Sequence, residues 1–181
     1  MRSDSRGNRI WMVAFLVCLG TLAAMRLPSL QKPGGVAPAA KRRAMGAMTL
    51  PEAGGGTWRL ADHRGKVVLI NYWATWCEPC LEELPALMRI DREAGPNGLD
   101  MVGVSLDAGP DAQARVRQYV ALFRVPFPVA FRDAREDGAV DLMGLPVTLL
   151  VDRQGRVAKT YVGAVEGEEV AGDVATLLAE R

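Results

Sequence analysis

Seven consecutive uncharged residues, Val67-Val68-Leu69-Ile70-Asn71-Tyr72-Trp73, constrain this chain more than any other feature, because a helical pattern and a second apolar strand come directly after them. A run this apolar reads as a strand covered on both faces. After a short break, Leu81, Leu84, Leu87, Met88 and Ile90 recur at three- and four-residue spacing, the pattern of a helix with one buried face. The alternation then repeats, with a strand at Met101–Leu106 and a helix at Asp111–Phe123 that turns Val116, Tyr119 or Val120, and Phe123 to one side. Strands separated by helices are parallel neighbours, since only a crossover can join them, and the helices must cover the sheet. The fold class is therefore α/β. A short strand at Val129–Phe131 and an antiparallel hairpin joining Val147–Val151 to Val157–Val162 extend the sheet. A helix from about Glu166 closes the chain, with Val170, Val174, Leu177 and Leu178 along one face.

The segment between the first strand and its helix carries the chemistry. Trp76-Cys77-Glu78-Pro79-Cys80 places two cysteines three residues apart at a helix N-terminus, where free N–H groups and the helix dipole favour a thiolate at Cys77. A thiolate there opens a partner's disulfide, and Cys80 resolves the mixed disulfide by attacking Cys77. A half zinc site, an inert structural disulfide or a chance pair are the competing readings. Zinc needs three or four ligands, and outside the pair the chain offers only Cys18 and His63. No metal is expected, and no cofactor beyond the redox-active Cys77–Cys80 disulfide itself. His63 reads as a turn residue and Cys18 as a buried thiol.

The remaining composition narrows the setting. A formal net charge of +1 with scattered cations gives no basic stripe, so nucleic acid is not an expected partner. Arg2, Arg6 and Arg9 precede an uncharged run from Ile10 to Met25, sixteen residues that fall between a signal-peptide core and a full bilayer span. No small-x-small site lies close behind it, and residues 1–27 read as a membrane anchor or signal segment, with the uncleaved anchor preferred. The flanking charges do not set the orientation; translocation of the folded domain, where a dithiol pair makes sense, does. Residues 28–47 lack apolar periodicity and read as a flexible linker, whose Lys41-Arg42-Arg43 cluster is placed to meet anionic headgroups. Residues 48–181 form the domain.

Gly65-Lys66-Val67-Val68, the string Asn71-Tyr72-Trp73-Ala74-Thr75-Trp76-Cys77-Glu78-Pro79-Cys80, then Glu83, Pro85 and Gly144-Leu145-Pro146-Val147-Thr148 together resemble the TlpA/ResA branch of thioredoxin-like proteins. The resemblance covers about residues 48–181. It implies a thioredoxin-like fold, a central mixed sheet flanked by helices with an insertion before the proline loop. It also implies an extracytoplasmic domain on an N-terminal anchor in the cell membrane, reducing disulfides in client proteins, apocytochrome c among them. Pro146 matches the family's cis-proline, and Leu145 before it would offer backbone hydrogen bonds to a bound client.

Glu83 matches the family's carboxylate, and being three residues from Cys80 it shares a helix face with it. If buried, it would hold its proton more tightly and serve as the base for Cys80. Ordinary thioredoxins carry a buried aspartate where this chain has Asn71, which cannot act as a base, so Glu83 gains weight. Glu78 sets a negative charge beside Cys77 and Pro79 removes an N–H donor; both oppose a very stable thiolate and favour a reductant. Trp73 reads as core, and Trp76 as apolar surface for a client. No nucleotide or flavin motif is present, so the electron donor is expected to be a membrane dithiol protein. Two alternatives remain: a peroxiredoxin-like peroxidase, and a copper chaperone using the cysteine pair with a histidine.

Overall fold

The structure, a computed structural model, describes residues 35–133 and 144–180. Residues 1–27, with the anchor reading and Cys18, lie outside the described residues, as does the first part of the linker. Among the described residues, no helix is long and apolar enough to cross a membrane.

Strands β1 (Arg43–Ala44), β4 (Val67–Trp73), β5 (Leu99–Ser105), β6 (Val129–Phe131), β7 (Val147–Val151) and β8 (Arg156–Val162) form one sheet in the order β1-β8-β7-β4-β5-β6. A small hairpin pairs β2 (Thr49–Pro51) with β3 (Thr57–Arg59). The helices are α1 (Glu78–Ala94), α2 (Ala112–Phe123) and α3 (Gly167–Ala179). Central β4 runs parallel to β5, and β5 to β6, while β7 is antiparallel to β4 and β8 to β7. The crossovers thus give the parallel half of the sheet, and the tight Asp152–Gly155 turn the antiparallel half.

Every residue of β4 is buried, and its alternation sorts the core. Val67 and Leu69 pack with Leu84, Leu87 and Ile90 of α1 and Val170, Val174 and Leu177 of α3. Val68, Ile70 and Tyr72 point the other way, onto Met45, Met48, Leu50, Trp58 and Leu60. The three helices therefore cover one face, and the opposite face is closed, among the described residues, by the segment preceding β4. Two sequence expectations change. Phe123 is partly exposed, though its ring lies tilted against Tyr119 with centroids 4.5 Å apart; the fully buried residues of α2 are Ala112 and Val116, with Tyr119 and Val120 packed beside them.

The linker expectation changes more. Residues 35–47 are not a loose tether: β1 pairs with β8, Ala37 N donates to Ala158 O, and Met45 enters the core. Nor is Arg42 free to meet lipid. Its guanidinium is buried against Asp152 at 3.2 Å and Glu180 at 2.6 Å, and Nε donates to Ala37 O. Asp152 also takes Arg156 Nε at 2.8 Å and the backbone N–H groups of Gln154 and Arg156. Burial pushes the Asp152 carboxyl up, but the hydrogen bonds from Arg156 and Arg42 outweigh it and hold the group below the ordinary carboxylate range. Sequence periodicity missed this because one buried arginine just ahead of a two-residue strand leaves no repeating pattern.

Breaking a buried pair strands the other charge and costs about 3 kcal/mol or more. A chain starting at Ala44 should therefore melt roughly 10 °C below one starting at Gly35, read by differential scanning calorimetry. Equal midpoints would restore the loose-tether reading. Because the folded-state pKa of Asp152 is depressed, this stabilisation is present above the ordinary value of 3.8 and is lost as pH falls below it. The gap between the two chains should shrink in acid.

Candidate active site

The two cysteines sit where β4 hands over to α1. Trp73 ends the strand, Cys77 N donates to Ala74 O to close a turn, and Cys77 is the residue that precedes α1. Cys80 N and Leu81 N both donate to Cys77 O, starting the helix. Pro79 in this first turn sacrifices no helical hydrogen bond, because N–H groups there have no intrahelical acceptor. Cys77 and Cys80 are joined in a disulfide with Cα atoms 5.3 Å apart. Both are buried, whereas Trp76 beside them is 68% exposed and Glu78 and Pro79 face solvent.

Beneath the disulfide lies Glu83, only 3% exposed. Its Oε1 accepts Asn71 Nδ2 at 2.7 Å, and its Oε2 accepts Val165 N at 2.9 Å. Burial raises its pKa above the ordinary 4.5, and the hydrogen bonds from Val165 and Asn71 hold back part of the rise. A carboxyl so tuned, three residues from Cys80 on the same helix, has the character of a proton acceptor. Asn71 also donates to Thr148 Oγ1 at 2.9 Å, so one amide links β4, α1 and β7. The residue that cannot be the base is thus the one that orients it.

The Leu145–Pro146 peptide bond is cis. Tyr72 at the end of β4 pairs with Val147, which brings the loop before β7 to the end of β4 from which the cysteine turn springs. Half-buried Leu145 packs against the cluster containing Cys77, Cys80, Trp73 and Val116. Pro146 itself is buried, and its carbonyl accepts Gly163 N at 2.9 Å. Val162, paired with Val147, is 71% exposed, adding apolar surface that the sequence pattern did not single out.

Trp73 is core as expected, its ring tilted at 40° against Tyr119 with centroids 4.7 Å apart. It fits because Gly103 on β5 has no side chain: a Cβ there would stand 3.0 Å from Trp73 Nε1. His63 lies away from the cysteines, stacked on Trp58 with Nδ1 2.6 Å from Asp100 Oδ2. Among the described residues no group of three metal-ligating side chains occurs.

Sequence reasoning missed Asn71 as a partner of Glu83, Thr148 as the far end of that link, and Val165, whose contribution is a backbone N–H that no side-chain pattern encodes. It also missed Asp107. This buried carboxylate accepts Thr75 N at 2.9 Å, Thr75 Oγ1 at 2.5 Å and Ser105 Oγ at 2.9 Å. An aspartate closing the apolar run Met101–Leu106 was the available signal.

Comparison with known proteins agrees with this geometry. The sequence model of the AhpC/TSA family matches residues 42–177. A thiol-disulfide oxidoreductase, ResA, of Geobacillus thermodenitrificans is 30% identical over 124 residues, 67% of this chain and 68% of its own length. The thioredoxin-like protein YneN of Bacillus subtilis is 30% identical over 111 residues, 61% of this chain and 65% of its own length. The chain thus spans about two thirds of the curated relatives it matches. A secreted thiol-disulfide isomerase from Corynebacterium glutamicum superposes with a TM-score of 0.71 at 23% identity, covering 80% of this chain and 91% of that one, and so shares the fold. This chain belongs to the AhpC/TSA family and, within it, to the thioredoxin-like branch that includes the ResA thiol-disulfide oxidoreductases.

Proposed function

We propose that this protein is a thiol-disulfide oxidoreductase that works as a reductant of protein disulfides. The observation that carries the reading is the Cys77–Cys80 disulfide at the start of α1 with buried Glu83 behind it. In the reduced form, the Cys77 thiolate attacks a client disulfide, a Cys77–client bond forms, and the first client sulfur leaves and takes up a proton. Cys80 then gives its proton to Glu83 and attacks the Cys77 sulfur; the Cys77–Cys80 bond forms and the second client sulfur leaves. Two electrons pass to the client, and the pair ends in the disulfide form. Exposed Trp76 and Val162 and the backbone at Leu145 supply the client-facing surface, with Pro146 shaping the loop.

A dithiol donor in the membrane returns the electrons; no cofactor other than the disulfide takes part. The domain faces the periplasm or extracytoplasmic space on an anchor formed by residues 1–27, a reading supported by the uncharged run Ile10–Met25 and by the secreted isomerase of the same fold. Apocytochrome c is the client class implied by the resemblance to TlpA/ResA proteins.

The reduction potential of the pair, equilibrated against thiol buffers, tests the direction. A value near or below about −270 mV supports a reductant, and one near about −120 mV reverses the proposal to disulfide donation. Peroxide consumption coupled to the same pair would replace it with the peroxidase reading.

Glu83→Gln tests the base. Both Glu83 oxygens accept N–H donors, so the new amide must turn its NH2 toward Asn71; rotation of the Asn71 amide, with Thr148 Oγ1 as its donor, preserves the network. The variant should fold, and release of the second client thiol should slow by about 100-fold. The stability of the wild type should also change with pH. The folded-state pKa of Glu83 is raised, so the folded wild type binds more protons than the unfolded chain above pH 4.5 and loses stability as pH rises through the folded value. Glu83→Gln should flatten that slope in chemical denaturation; an unchanged slope and rate would remove Glu83 from the mechanism.

A further inference from the structure

The turn that presents Cys77 is gripped from outside itself. Thr75, two residues ahead of Cys77, has both its backbone N–H and its hydroxyl bound by the Asp107 carboxylate, at 2.9 and 2.5 Å. Asp107 is fixed in turn, since Ser105 Oγ donates to its Oδ2 at 2.9 Å and accepts from its backbone N–H at 3.0 Å. The next link of the β4–β5 ladder, Leu106 N to Trp73 O at 2.8 Å, holds the two strand ends in register beneath this knot. The Asp107 side chain has no solvent exposure. The cation facing it is Arg115 of α2, with Nε 3.7 Å from Oδ1, and Arg115 is itself 45% exposed and screened by water.

Two residues of chain span at most about 7 Å between Cα atoms, so a carboxylate bound to Thr75 is held at the base of the turn that carries Cys77. A buried negative charge at that range acts through protein and not through bulk water, and it opposes a second negative charge beside it. Opposing the thiolate destabilises the dithiol and leaves the disulfide favoured. The same grip holds Trp76, between Thr75 and Cys77, out in solvent.

We propose that Asp107 is a positioning residue for Cys77: by binding Thr75 it fixes the turn that presents the sulfur, and its charge biases the pair toward the disulfide. The inference rests on the reductant reading above and supplies a physical origin for it.

Asp107→Asn separates the charge from the grip. An asparagine whose oxygen takes the place of Oδ2 still accepts Thr75 N and Ser105 Oγ, and its NH2 donates to Thr75 Oγ1, so the turn is kept while the charge is removed. In the reduced full-length chain, Cys77 alkylation followed against pH should show its midpoint fall by about one unit. Equilibrium with dithiothreitol at alkaline pH should move toward the dithiol by up to about tenfold, ~30 mV. The thermal midpoint should stay near that of the wild type. Arg115→Met, which leaves the Asp107 charge uncompensated, should move the alkylation midpoint the opposite way. The proposal is overturned if both variants alkylate as the wild type does, or if Asp107→Asn changes only the melting temperature. A wild-type potential near about −120 mV would instead remove the reductant reading, and this inference with it.

Discussion

A carboxyl group without water is the constraint around which this site is arranged. Glu83 sits on the inner face of α1, where burial makes its charged form expensive, and the fold answers with one hydrogen bond to each oxygen. Those two donors come from different places. Asn71 belongs to the central strand and Val165 to the segment between β8 and α3, so satisfying one side chain ties together the strand, the helix bearing the cysteines and the loop beside Pro146. Neither donor is charged, which leaves the group with a raised pKa instead of pinning it as an anion. An arginine in place of Asn71 would have stabilised the negative form and weakened the proton affinity that the proposed resolving step needs.

Much of the architecture was legible because it repeats. The unbroken apolar run of β4, the three-four spacing of α1 and α3, and the turn at Asp152–Gly155 each leave a period or a breaker in the sequence, and the structure matches them to within a residue or two. The cysteines were legible through spacing and placement, and Glu83 through its offset from Cys80. What did not show has one physical character: contacts made once, between residues far apart in the chain. Arg42 with Asp152 and Glu180, Thr75 with Asp107, and Asn71 with Glu83 and Thr148 are each a single pairing without a period, and Arg42 stood in a stretch whose composition reads as solvent-exposed. Covering one sheet face with a hairpin and an extended segment was hidden for the same reason, since Met45, Met48 and Leu50 form no long pattern.

Among the described residues, the charges named around the cysteine turn are negative, and the cation nearest them is partly withdrawn into water. Exposed Glu78 lies next to Cys77, Asp107 grips the residue before Trp76, and Glu83 waits beneath, whereas the cation near Asp107 is partly in water. Against these stands the start of α1, whose N–H groups favour an anion. The redox character of the pair is a balance of these opposed fields, in which no single residue dictates the outcome.

The sheet ends abruptly at both sides. One border is β1, with two residues, and the other is β6, with three, where Ala53 N already donates to Val129 O at 2.7 Å and Glu52 bridges Ala130. Very short border strands are one of the ways in which sheets limit edge-to-edge pairing. Among the described residues, two such borders limit the length over which one copy of this sheet could add its outermost strand to that of another.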